Sequence, residues 1–167
     1  MELTQTLLAL AAATTWDGGE GVLAALREAL SVAAPFDAGE LALFMPTGYR
    51  RWTFTEDEDP LAGDDVLLYA CRRDAPLRID QPEEADAFPE TAARLRRRGM
   101  LSALVVPLNA AGGPEGAVLL ARRYGWAFAG TSLRVVSASV GMAGLCLERA
   151  LALTALRREL EMAGPRR

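Results

Sequence analysis

Leu101-Ser102-Ala103-Leu104-Val105-Val106-Pro107-Leu108 and Ala117-Val118-Leu119-Leu120-Ala121-Arg122-Arg123 are two short apolar runs joined by Asn109-Ala110-Ala111-Gly112-Gly113-Pro114. Their length, β-branched content and Gly/Pro link read as an antiparallel hairpin, the clearest in the chain. The hairpin is expected to belong to an antiparallel sheet whose apolar face helices must cover.

Upstream, Leu41, Leu43 and Met45 alternate with Glu40, Ala42 and Phe44 as a mostly buried strand, and Pro46-Thr47-Gly48 turns the chain. The stretch from Tyr49 to Thr55 then places Arg50, Trp52 and Phe54 on one side and Tyr49, Arg51 and Thr53 on the other. With the short Leu77-Arg78-Ile79, five antiparallel strands are expected. Helical spacing marks a first segment through Leu3, Leu7 and Leu10, and a second from Glu20 to Ala33. Trp16, beside the break at Asp17-Gly18-Gly19, reads as a core anchor at a helix end. Asp65 is placed to cap a helix running to Arg73, and Pro89 opens another that glycine stops at Gly99.

From Thr131 to Met162 runs the longest periodic segment, capped at Thr131 or Ser132. Its apolar positions are Leu133, Val136, Val140, Ala143, Leu147 and Ala150, then, after a shift, Leu153, Leu156 and Leu160. About 30 helical residues span roughly 45 Å, more than a small sheet needs for cover. The surplus is a helical spacer or a dimer contact, or else a terminal helix simply packed on the domain.

The 167 residues suffice for one domain with a full core. Eighteen basic against 22 acidic residues, net charge -4, argue against nucleic acid or an anionic membrane as partner. Glu2 stands where an export signal would carry a basic residue, and charges interrupt the later apolar runs well short of a membrane span, so a cytoplasmic location is expected. Histidine and lysine are absent, which removes the imidazole base, the commonest transition-metal ligand and the phosphate-loop lysine. The widely separated Cys71 and Cys146 form neither a disulfide framework nor a thiol relay. Arg72 and Arg73 could lower the Cys71 pKa and make it redox-sensitive. Six carboxylates between Glu56 and Asp65 read as an exposed, loosely ordered loop without the ligand spacing of a calcium site. The arginines Arg94 and Arg96 to Arg98 gather at a helix C-terminus, where they complement its dipole. No nucleophile and base pair can be named, so no catalysis, metal or cofactor is expected.

The order Ala75-Pro76-Leu77-Arg78-Ile79-Asp80, Ser102 to Leu108, Gly116-Ala117-Val118-Leu119 and Trp126-Ala127-Phe128 resembles the GAF domain family, over nearly the whole chain. The resemblance implies a single α+β domain over 1–167. Its central antiparallel sheet has about five to six strands. N-terminal helices within 1–34 and a long C-terminal helix over 131–162 pack on one face, with short helices and loops over the other. It also implies a bacterial-type regulator in signal transduction: a non-catalytic sensor that binds a small ligand or forms a homodimer. Such a sensor works with an effector such as a kinase or transcription activator, in cis or trans.

By the same resemblance, the ligand-pocket candidates are Phe44, Trp52, Phe54, Tyr69, Leu95, Ser102 and Leu104. Trp52 and Tyr69 could stack on a flat ring, and Ser102 could hydrogen-bond to it. Alternatively, these aromatics fill a second layer of core. The dimer and output candidates are Leu133, Val136, Val140, Leu147, Leu153, Leu156 and Leu160. The absent histidine departs from tetrapyrrole-binding relatives, and the charged motif of cyclic-nucleotide binders is missing. The competing reading is a ligand-free protein-docking module that uses the arginines from Arg94 to Arg98 or the acidic loop.

Overall fold

The computed structural model describes residues 19–45, 48–56, 59–108 and 116–163. The elements are α1 (Glu20–Ala33), β1 (Ala38–Met45), β2 (Gly48–Thr53), α2 (Asp64–Arg73), β3 (Leu77–Ile79), a 3-10 turn (Pro82–Ala87), α3 (Pro89–Arg97), β4 (Ser102–Pro107), β5 (Gly116–Arg122) and α4 (Leu133–Met162). The helix expected through Leu3 to Leu10, the anchor Trp16, the turn at Pro46-Thr47 and the hairpin link 109–114 lie outside the described residues.

Every ladder is antiparallel, in the order β2-β1-β5-β4-β3. The hairpin read from the sequence sits near the centre, with Leu104 opposite Leu120 and Val106 opposite Val118. Because side chains alternate across the pleat, each strand feeds two cores. On one face Leu41, Leu43, Leu104, Val106, Val118 and Leu120 pack with Leu26 and Leu30 of α1 and with Val136, Val140 and Leu147 of α4. On the other, Ala38, Ala42, Ala103, Ala117 and Ala121 form a floor of small side chains, covered by Val66 and Leu67 of α2 and Leu95 of α3. Small residues there let the short helices approach the sheet closely.

Two close backbone requirements explain glycines in this frame. Gly99 ends α3 with φ of 65°, the left-handed conformation that glycine adopts without strain. Gly116 begins β5 where a Cβ would overlap the Ala42 carbonyl oxygen, so any side chain would force β1 and β5 apart.

Several local expectations change. β1 begins at Ala38, two residues before the expected strand, because Ala38 and Gly39 pair with Ala121 and Leu120 of β5. Neither α2 nor α4 has a side-chain N-cap: Gly63 and Ser132 stand there without such a bond. Asp65 lies inside α2 and caps a different helix, as described below. The expectation that charge interrupts every apolar stretch is also corrected, since α4 is long and apolar enough to cross a membrane by length and composition. Its Val136, Val140, Ala143, Gly144, Leu147 and Ala150 are nevertheless buried against the domain.

Candidate functional site

The acidic segment is organised from beneath by Glu40. This side chain, 1% exposed, accepts the Leu61 N–H at 2.9 Å and the Ala62 N–H at 2.9 Å, and pairs with Arg51 at 2.8 Å. Arg51 also donates to the Ala62 carbonyl oxygen, as does Arg94. A buried carboxylate is tolerable when its charge is paired and its lone pairs are filled, and here both conditions hold. The result is a strap, Leu61-Ala62-Gly63, fixed across the alanine-floored face.

Beyond the strap, α2 and α3 cap each other. Asp65 accepts the backbone N–H of Glu90 at 2.8 Å and the hydroxyl of Thr91 at 2.6 Å. In return, Thr91 Oγ1 accepts the Gly63 N–H at 2.8 Å, and Glu90 accepts the Asp64 N–H at 3.1 Å. Both helices thus satisfy free N-terminal donors with the other's side chains. Tyr49 on β2 lies beside this network, and its pKa is raised, first by burial and then by the Asp64 charge.

The two charged segments that were candidates for external docking also contact each other on the surface. Arg97 lies 3.5 Å from Asp59, Arg98 donates to the Asp59 carbonyl oxygen at 2.7 Å, Arg94 pairs with Glu90 at 2.6 Å, and Arg96 pairs with Asp86. In the described part of the acidic loop Glu56, Asp59 and Asp64 are exposed, as expected, while Leu61 and Ala62 are buried and Asp59 is met by arginines of the same chain.

The expected pocket residues divide between the two faces. Phe44, Tyr69 and Leu95 belong to the alanine-floored side. The Phe44 ring lies 4.8 Å from that of Tyr49, the Tyr69 ring 5.1 Å from that of Phe88, and Leu95 is buried. Trp52, Phe54 and Leu104 belong to the opposite core, with Phe54 5.9 Å from Phe36 and Trp52 beneath the Arg50 guanidinium at 4.6 Å. Ser102 is buried and donates to the Tyr124 carbonyl oxygen at 2.8 Å. One face thus holds three of the seven, and the tyrosine among them also bonds Arg73 at 2.8 Å.

Along α4, Val136, Val140 and Leu147 are buried core and Leu133 packs at its margin, whereas Leu153, Leu156 and Leu160 are exposed. The change follows the shift in apolar spacing after Ala150. Cys71 packs half-buried against the alanine-floored core, with its thiol 3.1 Å from the Gly116 carbonyl oxygen; Cys146 is buried. Among the described residues, no group of three or more His, Cys, Asp or Glu is placed to hold a metal ion.

No protein-family profile matches this chain, and no curated protein sequence matches it. Solved structures do. The phycoerythrobilin-bound GAF domain of a cyanobacterial phytochrome is similar over 95% of this chain and 98% of its own, with TM-score 0.63 and 13% identity. The GAF domain/HD domain protein of Geobacter sulfurreducens is similar over 88% and 98%, with TM-score 0.57 and 22% identity. This chain has the GAF fold. The N-acylhomoserine lactone dependent LuxR family transcription factor CepR2 of Burkholderia cenocepacia is also similar, over 90% of this chain and 95% of that one, with TM-score 0.64 and 16% identity. The GAF resemblance read from the strand motifs therefore holds at the level of fold. Sequence reading missed Glu40, Thr91 and the strap they organise; the only signal was an isolated acid inside an apolar run.

Proposed function

We propose that this domain is a non-catalytic sensory or regulatory unit of a cytoplasmic signalling protein, homodimeric through the second half of α4. The supporting observation is that helix's continuation past the last buried residue, Ala150, for a further dozen residues, about 18 Å. Leu153, Leu156 and Leu160 recur there at the three- and four-residue spacing of a helix-pairing seam, and Leu160 is 73% exposed. Arg157 and Glu161, paired at 3.0 Å, flank it. Similarity to a phytochrome domain and a transcription factor supports a signalling setting, with a kinase or transcription activator in cis or trans as effector.

The ligand site in this reading is the alanine-floored face beneath α2, α3 and the strap, with Phe44, Tyr69 and Leu95 in its walls. An apolar small molecule would bias the packing of the two capped helices, since a ligand shifts an equilibrium only by preferring one state. A second reading, a ligand-free interaction module, is favoured by the close packing of this face: Val66, Leu67, Ala103 and Ala117 are all fully buried.

Introducing Leu156→Cys tests the dimer. Mild oxidation should link two chains through the new thiol, in high yield, while the parent chain stays unlinked. Failure to form that link in concentrated protein would count against pairing along α4.

A further inference from the structure

Trp126 holds an unusual position on this surface. It adopts φ of 57°, a left-handed conformation that bulky side chains rarely take, and is nevertheless 55% exposed. Strain of this kind persists only where the surroundings impose it. Here Trp126 N–H donates to the Asp80 carbonyl oxygen at 2.8 Å, and the Trp126 carbonyl oxygen accepts the Ala129 N–H at 3.2 Å. Phe128, two residues on, is completely buried and anchors the turn. The chain thus holds a large apolar ring toward solvent, although burying it would be worth more to stability.

Its neighbours have the same character. Tyr124 is 49% exposed and Leu101 42% exposed. Ser102 joins them: its hydroxyl bonds the Tyr124 carbonyl oxygen, it pairs with Arg122 across the β4–β5 ladder, and it follows Leu101 directly. Asp80, which pins Trp126, directly follows the Ile79 that pairs with Ala103, and so lies beside Ser102 at the sheet edge. The Arg122 guanidinium stacks over the Tyr124 ring at 4.3 Å. Tryptophan, tyrosine and arginine are the residues that dominate binding energy at protein interfaces.

At Met100 and Arg123, next to Leu101 and Tyr124 in the chain, this patch meets an open cleft of about 620 Å³ that is also lined by Arg27, Arg97, Arg98, Asp37, Glu56 and Asp59. Within it, Asp37 accepts the Arg123 backbone N–H at 2.9 Å, and Asp59 faces Arg97. The side chains of Arg27 and Arg123 have no ion-pair partner among the described residues. A cleft of mixed sign in which two guanidiniums have no ion-pair partner among the described residues suits a protein segment offering discrete carboxylates. An evenly charged polyanion would also meet Asp37, Glu56 and Asp59.

We propose that Leu101, Tyr124 and Trp126, together with Arg27 and Arg123 in the adjoining cleft, form a docking surface for a segment of another protein in which an apolar or aromatic side chain is flanked by carboxylates.

The test uses the full chain and a fluorescein-labelled peptide in which leucine and tryptophan alternate with glutamates, read by fluorescence anisotropy. A matched peptide with glutamines, a labelled single-stranded oligonucleotide and anionic phosphatidylserine vesicles serve as rivals. The acidic peptide should bind at least about tenfold more tightly than its glutamine counterpart, with affinity falling as salt rises. Trp126→Gly should weaken that binding at least about tenfold while the thermal midpoint holds or rises, because glycine relieves the left-handed strain. Arg27→Ala with Arg123→Ala should remove the preference for glutamate. Binding that is absent, indifferent to Trp126→Gly in the folded variant, or stronger for the oligonucleotide or the vesicles would overturn the proposal.

Discussion

The Asp65 carboxylate and the Thr91 hydroxyl meet at 2.6 Å, and through this contact two helices separated by a strand and a 3-10 turn cap each other's first turns. Neither helix carries its own side-chain cap. Asp65→Ala should therefore lower stability by about 2 kcal/mol, the upper end for loss of one cap, because donors in both helices lose partners. A double-mutant cycle with Thr91→Val, measured by urea unfolding, should return a coupling of about 1 kcal/mol. Additive effects would show that α2 and α3 are not joined in this way.

Glu40 anchors the strap in the same network. Glu40→Ala leaves the Leu61 and Ala62 N–H groups without their acceptor and Arg51 with only Asp64 at 3.5 Å and the Ala62 carbonyl oxygen. A loss of about 3 kcal/mol is expected, the lower end for breaking a buried pair, because Arg51 remains partly in contact with water. Amide hydrogen exchange should speed up at Leu61 and Ala62 in this variant before it does so at β4.

Tyr49 gives the fold an alkaline dependence. Burial, followed by the neighbouring Asp64 charge, raises its pKa above the ordinary 10.0. The folded state therefore holds the phenolic proton more tightly than the unfolded state. The corresponding stability is fully present below pH 10 and is lost as the pH rises through the raised folded value. Tyr49→Phe should flatten this alkaline decline, as followed by denaturant titration at a series of pH values.

Gly116→Ala puts a methyl carbon against the Ala42 carbonyl oxygen and the Leu43 side chain. A cost of about 2 kcal/mol is expected from overpacking a close strand pair. An unchanged thermal midpoint would mean that β1 and β5 can separate without loss.

Much of this fold is legible from periodicity. The hairpin of β4 and β5, the helix from Glu20 to Ala33 and the short strand from Leu77 to Ile79 all follow from apolar spacing and turn residues. The expected pocket was less legible, because alternation separates the two sides of each strand without saying which side faces which helix. Trp52 near the end of β2 and Phe54 just beyond it share a side, and pairing of Leu41 with Trp52 carries them to the α1 and α4 core, while Phe44 packs on the other face. Glu40 was hidden by its charge, since the groups that make its burial tolerable lie eleven to twenty-two residues further along the chain. The long helix posed the opposite difficulty: one continuous periodic pattern serves the domain's core up to Ala150 and a solvent-facing seam beyond it.

Pairing along α4 is measured by light scattering coupled to size-exclusion chromatography, on the parent chain and on a Leu153→Glu/Leu156→Glu variant. The parent should show twice the chain mass and the variant a single-chain mass, with helical circular dichroism retained in both. A parent that elutes as a single chain across the concentration range, with α4 intact, would contradict that pairing.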